Sequence, residues 1–555
     1  MYGFTIYIAN NPWQAHREFD YQQIKPSVYV HHLSNQVLGK ENYYVADQDE
    51  VFGLDGAWVN LETLKKSHAC SDKELIRKWN QNELHVESVM GEFAVFYHNS
   101  ANELYIKTNP NGTKPWFYYR NKKGLIVSNS LKQVAALAKE LNWSLTLNET
   151  AALELLSFGF VLGGKTLLAE VNKLTASQTL FYCKQQLVVK TEQHYSKITY
   201  RASDIKKHTA EVYEQLKENV NKLYQFNANR QFQQCATLSG GLDARLNVLL
   251  AKQLNFSIDK TMAMGQSGHA DIRIARQVAT FLKTNHHEEI LDAATHLKQL
   301  TSCVQANDGQ VIYAGAAHLH HMFKKLNVQT GVIHTGQMGN VVGGGQLSVS
   351  HERAPNLHGK AYANRFLDKL TPVVNTLMEQ YNNEEHAKIS ERVFNGVNNG
   401  FWATEFAGYY SSPFLQANTI SLLLSIPPED KYQYRLYFNL INTHVPEMKK
   451  WPWDRTGLKP GNMQSLALGK WKSRVNKLWH EVVLGNYSKS SMNPYKHWEK
   501  TISWLPSWLN EQCEIQVLDK YPETKEMATT IMQRGNLLEQ TQVLTLIHAI
   551  KWLVE

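Results

Sequence analysis

With 555 residues, 43% hydrophobic and 19% charged, the chain is too long for one ordinary domain and too apolar to be disordered; its net charge of +8 is mild for that size. Five scattered cysteines (Cys70, Cys183, Cys235, Cys303, Cys513), without a C-x-x-C pair, argue against a disulfide framework and read as reduced thiols in a cytoplasmic protein. Neither a signal peptide nor the roughly 18-residue apolar run of a membrane helix is expected from the sequence, and there are no repeats.

Residues 1–195 read as short strands with turns. Phe4–Ile8 and Ser27–Val30 are apolar or alternating, and two hairpins follow, Phe93–Tyr97 with Leu104–Ile106 and Trp116–Tyr119 with Leu125–Val127. Leu131–Leu141 reads as a helix, giving an α+β unit with antiparallel sheets. Ser196–Asp204 is polar and reads as a linker. From Ile205 a helix is expected, with Thr209, Val212, Leu216, Val220 and Leu223 on one face. A strand at 235–238, a glycine turn and a helix come next. A second strand (260–264), a second glycine turn (265–268) and a helix from Ile272 repeat the pattern. Strands alternating with helices predict a parallel sheet covered on both faces, with ligands beyond the carboxyl ends of its strands. The last helix, Leu537–Val554, is expected to bury one side made of Val543, Leu546, Ile547, Ile550 and Leu553.

The turn Ser239-Gly240-Gly241-Leu242-Asp243 carries the most chemistry. Two glycines let backbone N–H groups approach a phosphate, Ser239 adds a hydroxyl, and Asp243 in the first helical turn can hold a magnesium ion on phosphate oxygens. The spacing is not that of a Walker A loop. The adjacent His286 and His287, and the group His318, His320 and His321, lack metal-ligand spacing and are read as non-metal. Lys449–Lys477 holds eight basic residues against the single acid Asp454, with Trp451, Trp453 and Trp471 interleaved. Such a segment suits an anionic substrate or surface, or is a solvated face whose tryptophans pack inward; no nucleic-acid module surrounds it.

The Ser239–Asp243 turn resembles the S-G-G-x-D-S pyrophosphatase loop of ligases that release AMP and pyrophosphate. Gly265–Asp271 with His286-His287-Glu288 resembles the next phrase of the asparagine synthetase family. Thr335–Gly345 resembles its S-G-E-G-x-D-E-x-x-G-G, and Pro413-Phe414-Leu415 with Ser425–Lys431 its P-F-L-D…S-L-P-x-x-x-K. Ahead of these, Val51–Asn60, Gly91–Ala94, Asn109–Pro115 and Phe158–Leu167 resemble the class II glutamine amidotransferase domain that precedes the synthetase domain in that family.

The resemblance implies an α/β protein with two domains. An antiparallel amidotransferase-like sandwich would span 1–195, and a larger parallel-sheet ATP pyrophosphatase domain 203–555. It implies ATP and Mg2+, a small-molecule or peptide carboxylate substrate, and an acyl-adenylate turned into an amide. Nucleotide contacts would come from Leu238, Ser239, Gly240, Gly241, Asp243, Met264, Gly265 and Gly336, and magnesium contacts from Asp243 and Asn340. Lys459, then Arg455 and Gln337, are the catalytic candidates; a homodimer is a candidate assembly.

Several positions depart from the family pattern. Tyr2 stands where active amidotransferases of this class carry an N-terminal cysteine, and a phenol with a pKa near 10 is a poor nucleophile. Thr108 replaces the arginine of the R-D pair, Ala244 the closing serine of the loop, Gln337 and Asn340 two carboxylates, and Gln416 an aspartate. Glutaminase activity is therefore not expected, and the nitrogen would come from ammonia or a substrate amine. A lasso-peptide or β-lactam-type cyclase and a non-catalytic nucleotide-binding pseudoenzyme are the alternatives.

Overall fold

The computed structural model describes residues 2–10, 13, 21–35, 37–46, 50–192, 194–479 and 491–555, with backbone alone at Lys40, Lys470, Ser473, Asn476 and Lys477. Among the described residues the first half contains twelve strands: β1 (Gly3–Ala9), β2 (Gln22–Lys25), β3 (Val28–Leu33), β4 (Tyr43–Ala46), β5 (Val51–Trp58), β6 (Gly91–His98), β7 (Leu104–Thr108), β8 (Phe117–Asn121), β9 (Gly124–Ser128), β10 (Asn172–Lys173), β11 (Gln178–Cys183) and β12 (Gln186–Thr191). They form two six-stranded antiparallel sheets, ordered β10-β8-β9-β1-β3-β2 and β12-β11-β7-β6-β5-β4.

Side-chain alternation explains the layering. In β1, Phe4, Ile6 and Ile8 point into the core between the sheets, while Tyr7 and Ala9 point the other way into a second core. That second core is filled by the helices Leu131–Glu140 and Glu149–Phe158. The helices Leu61–His68 and Asp72–Asn80 cover the far sheet through Leu64, Leu75, Ile76 and Trp79. The half is thus a helix–sheet–sheet–helix sandwich. The sequence pattern placed the hairpins correctly but missed three of these four helices. Their apolar residues occur in runs too short to establish a 3.6-residue period.

The second half has the expected parallel sheet: β13 (Cys235–Thr237), β14 (Lys260–Gly265), β15 (Asn285–Ile290), β16 (Val332–His334) and β17 (Tyr409–Ser411), ordered β15-β14-β13-β16-β17. The chain builds outward from β13 to β15, then returns to the other side of β13 with β16. The gap between β13 and β16 is the topological switch point where such sheets bind ligands. The helix Ile205–Asn229 runs as read from the sequence, starting at the Asp204 cap and burying Thr209, Val212, Leu216, Val220 and Leu223. The polar stretch before it is tied down, Ser203 donating to Asp430 at 2.6 Å.

The last helix, Leu537–Leu553, departs from the one-sided expectation. It starts in a capping box made by Asn536 and Glu539, and then Thr541, Gln542 and Thr545 are buried along with the apolar stripe. It packs against the helices at 131–140 and 149–158 of the first half as well as 300–307 and 522–534, so no side is left for solvent. Its hydroxyls are satisfied locally: Thr545 donates to the Thr541 carbonyl and accepts the Tyr313 N–H. The largest hydrophobic core of the molecule therefore joins residues from both ends of the chain.

Candidate functional site

The glycine turn leaves β13 at the switch point. Leu238 is buried and donates its N–H to Met262 at 2.7 Å, which fixes the turn against β14. Gly240 donates its N–H to Asp271 at 2.9 Å, and Gly241 donates to Ser239 Oγ at 3.1 Å. No side chain caps the helix Leu242–Gln253, so its N-terminal end is open to an anion. Tight packing shows why glycine is needed here. A Cβ on Gly240 would lie 2.8 Å from Asp454 Cβ, one on Gly336 2.2 Å from the Ala244 nitrogen, and one on Gly339 2.5 Å from Asp243 Cβ. The turn after β16 thus lies directly on the first turn of this helix.

Charge is unevenly met around this turn. Asp243 is half-buried, and burial pushes its carboxyl up to about 7; the Tyr437 hydroxyl opposes that rise and the Asp454 carboxylate adds to it. Asp454 is itself raised to about 6, by burial and then by Asp271. Between them sits Arg245, with no exposed surface. Its Nε donates to the Gly241 carbonyl at 3.0 Å, but among the described residues Nη1 and Nη2 have no partner, and neither does Asp454 Oδ1. Burial lowers the guanidinium to about 10 despite the surrounding acids. A buried guanidinium with two unmet donors beside an open helix end is a cradle suited to phosphate oxygens.

A divalent cation also fits. Magnesium is commonly held by one or two carboxylates with substrate phosphates supplying the rest, so no prebuilt cage is needed. Asp243 and Asp454 offer hard oxygens whose ionisation is opposed by burial. Among the described residues, no cluster of three or more His, Cys, Asp or Glu is arranged to hold a metal alone.

The other sequence candidates fall at different distances from this centre. The Asn340 backbone N–H lies at Asp243, while its side-chain amide turns toward Gly345. Met264 and Gly265 end β14, and the Gly265 carbonyl accepts the Leu291 N–H at 2.9 Å. Gln337 donates to Asn398, leaving Gln337 Oε1 and Asn398 Nδ2 unpartnered. Arg455 is exposed and donates to the Tyr434 hydroxyl at 2.9 Å. Lys459 is exposed on the same loop. Trp451 and Trp453 of the basic segment pack inward, whereas Trp471 does not.

The Tyr2 side is built differently. Lys114 is fully buried and paired with Asp55 at 2.8 Å and Glu405 at 3.3 Å, and it donates to the Tyr2 carbonyl at 3.1 Å. Those acids hold the ammonium well above its ordinary pKa against the burial penalty. His32 lies 3.2 Å from Asp55. Burial raises the Tyr2 phenol further, away from nucleophilic use. Asn109 Oδ1 accepts the N–H groups of Thr113 and Lys114, so the turn closes without the family's arginine. Glu92, raised to about 7 by burial, accepts from Thr113 and Ser411. Gln416 joins the halves: its carbonyl accepts the Gly91 N–H at 3.1 Å, and its amide donates to Ser411 and Ser412. An aspartate there could not donate. Glu92, Thr113, Lys114, Asn398 and Tyr409 line a void of about 30 Å3, room for one water.

Three residues at the nucleotide turn escaped the sequence reading: Asp271, Arg245 and Asp454. Arg245 left a signal. It occupies the Leu242, Leu246, Leu249 stripe, where a charge in a core position marks either a partner or a ligand. Asp454, distant in sequence, left none beyond being the lone acid of a basic segment.

Comparison with known proteins follows this division. Residues 214–456 match the asparagine synthase family, and residues 46–195 match the glutamine amidotransferase domain. No curated protein matches the sequence. Among solved structures, a glutamine phosphoribosylpyrophosphate amidotransferase from B. subtilis complexed with ADP and GMP is 12% identical, over 52% of this chain and 59% of its own, with a TM-score of 0.21. An allosteric regulatory enzyme of purine biosynthesis is 10% identical, over 52% and 74%, with a TM-score of 0.22. The chain thus spans less than two thirds of the first of these structures.

Proposed function

We propose that this chain, whose residues 214–456 match the asparagine synthase family and 46–195 the glutamine amidotransferase domain, is an ATP-dependent amide-forming ligase that activates a carboxylate substrate as an acyl-adenylate, with release of pyrophosphate. The boundary between the amidotransferase-like unit (1–195) and the synthetase unit (203–555) is placed at the polar stretch between them. The observation that carries this reading is Arg245, buried beside the open helix end with two unmet donors.

In this reading the β- and γ-phosphates lie on the Ser239–Asp243 turn, with Arg245 neutralising their charge. Asp243, with Asp454, would hold magnesium, which supplies charge neutralisation on the leaving pyrophosphate, while the Asn340 N–H steadies the Asp243 carboxylate. The substrate carboxylate attacks the α-phosphorus, and the P–O bond to pyrophosphate breaks. A nitrogen nucleophile then attacks the acyl carbon, and AMP leaves. The protein's share is positioning and electrostatic stabilisation. Leu238 and Met264 would meet the adenine, and Gln337 with Asn398 the acyl substrate. Arg455 and Lys459 lie on the loop that carries Asp454 and would supply positive charge as the phosphates separate.

Ammonia or a substrate amine would be the nitrogen source, because Tyr2 offers a phenol in place of a thiol and the Lys114 beside it is committed to Asp55. The test is pyrophosphate release from ATP and magnesium, with aspartate and ammonia and then with extracts of the source cell, against Asp243→Ala. Release that the substitution lowers at least about a hundredfold supports the ligase. ATP binding without release under every condition overturns it in favour of a nucleotide-binding pseudoenzyme.

A further inference from the structure

The helix Met463–Leu478 has an unusual distribution of apolar residues. Leu468, Trp471, Val475 and Leu478, with Trp479 just beyond, are all exposed, Trp471 at 68% and Trp479 at 58%. At 3.6 residues per turn these five fall within an arc of about 100°. The body-facing side lies opposite. Leu466 is buried, and Gly469 packs so closely that a Cβ there would lie 2.2 Å from Thr456 Cβ. The apolar stripe therefore points directly away from the protein.

Charge frames that stripe. Helical spacing puts Lys472 on one flank and Arg474 on the other, and both are exposed. Residues 463–478 carry four cations and no acid. The side chains of Lys470 and Lys477 lie outside the described residues. A second copy of the chain is a poor occupant, because a two-fold contact would set these cations against their own copies with no acid between them. An apolar face with two tryptophans and cationic flanks matches the interface of an anionic bilayer, where indole rings settle at headgroup depth and lysine and arginine reach the phosphates. No helix among the described residues is long and apolar enough to cross a membrane.

We propose that the helix Met463–Leu478 docks this protein, lying in the plane of the surface, on anionic lipid membranes. Through Gly469 and Thr456 the helix is packed two residues from Asp454, so docking would hold the nucleotide turn close to the bilayer. The inference does not depend on the proposed chemistry.

The test is co-sedimentation of the full chain with vesicles of phosphatidylcholine alone and of phosphatidylcholine with 30% phosphatidylglycerol. Binding to the anionic vesicles only is expected, weakened by salt. Lys472→Glu with Arg474→Glu should lower the affinity at least about twentyfold, as each lost cation costs roughly fivefold. Leu468→Gln with Trp471→Gln, both at exposed positions, should abolish binding while leaving the thermal midpoint and ATP-dependent turnover unchanged. The proposal is overturned if wild-type protein ignores anionic vesicles, or if either double variant binds like wild type. It also falls if light scattering shows a dimer that the Leu468→Gln, Trp471→Gln variant dissolves, which would assign the stripe to a second copy.

Discussion

The two polar centres of this protein have been left in opposite electrostatic conditions. At the Tyr2 side, Lys114 is matched by Asp55 and Glu405, and Glu92 is matched by two hydroxyls. At the glycine turn, Arg245 Nη1 and Nη2 and Asp454 Oδ1 are buried without partners. Buried polar groups in a settled structure are paired, because an unmet donor costs its full desolvation. The first centre joins the two halves through paired charges, and the second keeps unpaired donors beside a helix end.

That contrast can be broken most sharply by removing one cation from each centre. Lys114→Met leaves Asp55 and Glu405 buried and uncompensated, and should cost about 3–5 kcal/mol of stability, read from the denaturant midpoint. Arg245→Met removes two unmet donors along with the Nε bond to the Gly241 carbonyl, so the ligand-free protein should lose no more than about 1 kcal/mol, while pyrophosphate release falls at least about a hundredfold. Equal destabilisation by the two substitutions would erase the distinction between joint and open site. Gln416→Asp should cost about 1–3 kcal/mol, since it removes the donor that bridges Ser411 and Ser412 and buries a charge at the joint.

The smallest expected effect is a pH slope. An aspartate ordinarily titrates near 3.8, but burial holds Asp243 up at about 7. Between those values the folded chain keeps a proton that the unfolded chain has lost. The stability this contributes is complete below about pH 3.8 and disappears as pH rises through about 7. Wild-type protein without nucleotide should therefore lose about 2 kcal/mol more than Asp243→Asn across that window, a figure lowered for partial exposure. Parallel pH curves for the two proteins would place Asp243 in a solvated setting instead of its half-buried one.

Local pattern decided more of the synthetase half than of the amidotransferase-like half. The helix from Ile205, 25 residues long, announced itself through the steady periodicity of Ile205 to Leu223. The helices at 61–68 and 72–80 are eight and nine residues long and offered only fragments of a period. The turn at Ser239–Asp243 was legible because strand, glycines and helix are contiguous, and short-range chemistry needs only neighbours. Arg245 was legible in type but not in role, since the sequence cannot say whether a buried charge is paired.

What the sequence determined by itself was the parallel strand–helix alternation, the position of the glycine turn after β13 and the absence of a thiol at position 2. Each follows from residues adjacent in the chain, where backbone geometry and side-chain type suffice. Only the tertiary structure decided that Asp454 faces Gly240, that Gln416 bridges the halves, and that the last helix buries Thr541, Gln542 and Thr545 along with its apolar stripe. Those outcomes depend on contacts between residues hundreds of positions apart, and on whether a partner arrives at hydrogen-bond distance once the whole chain has closed.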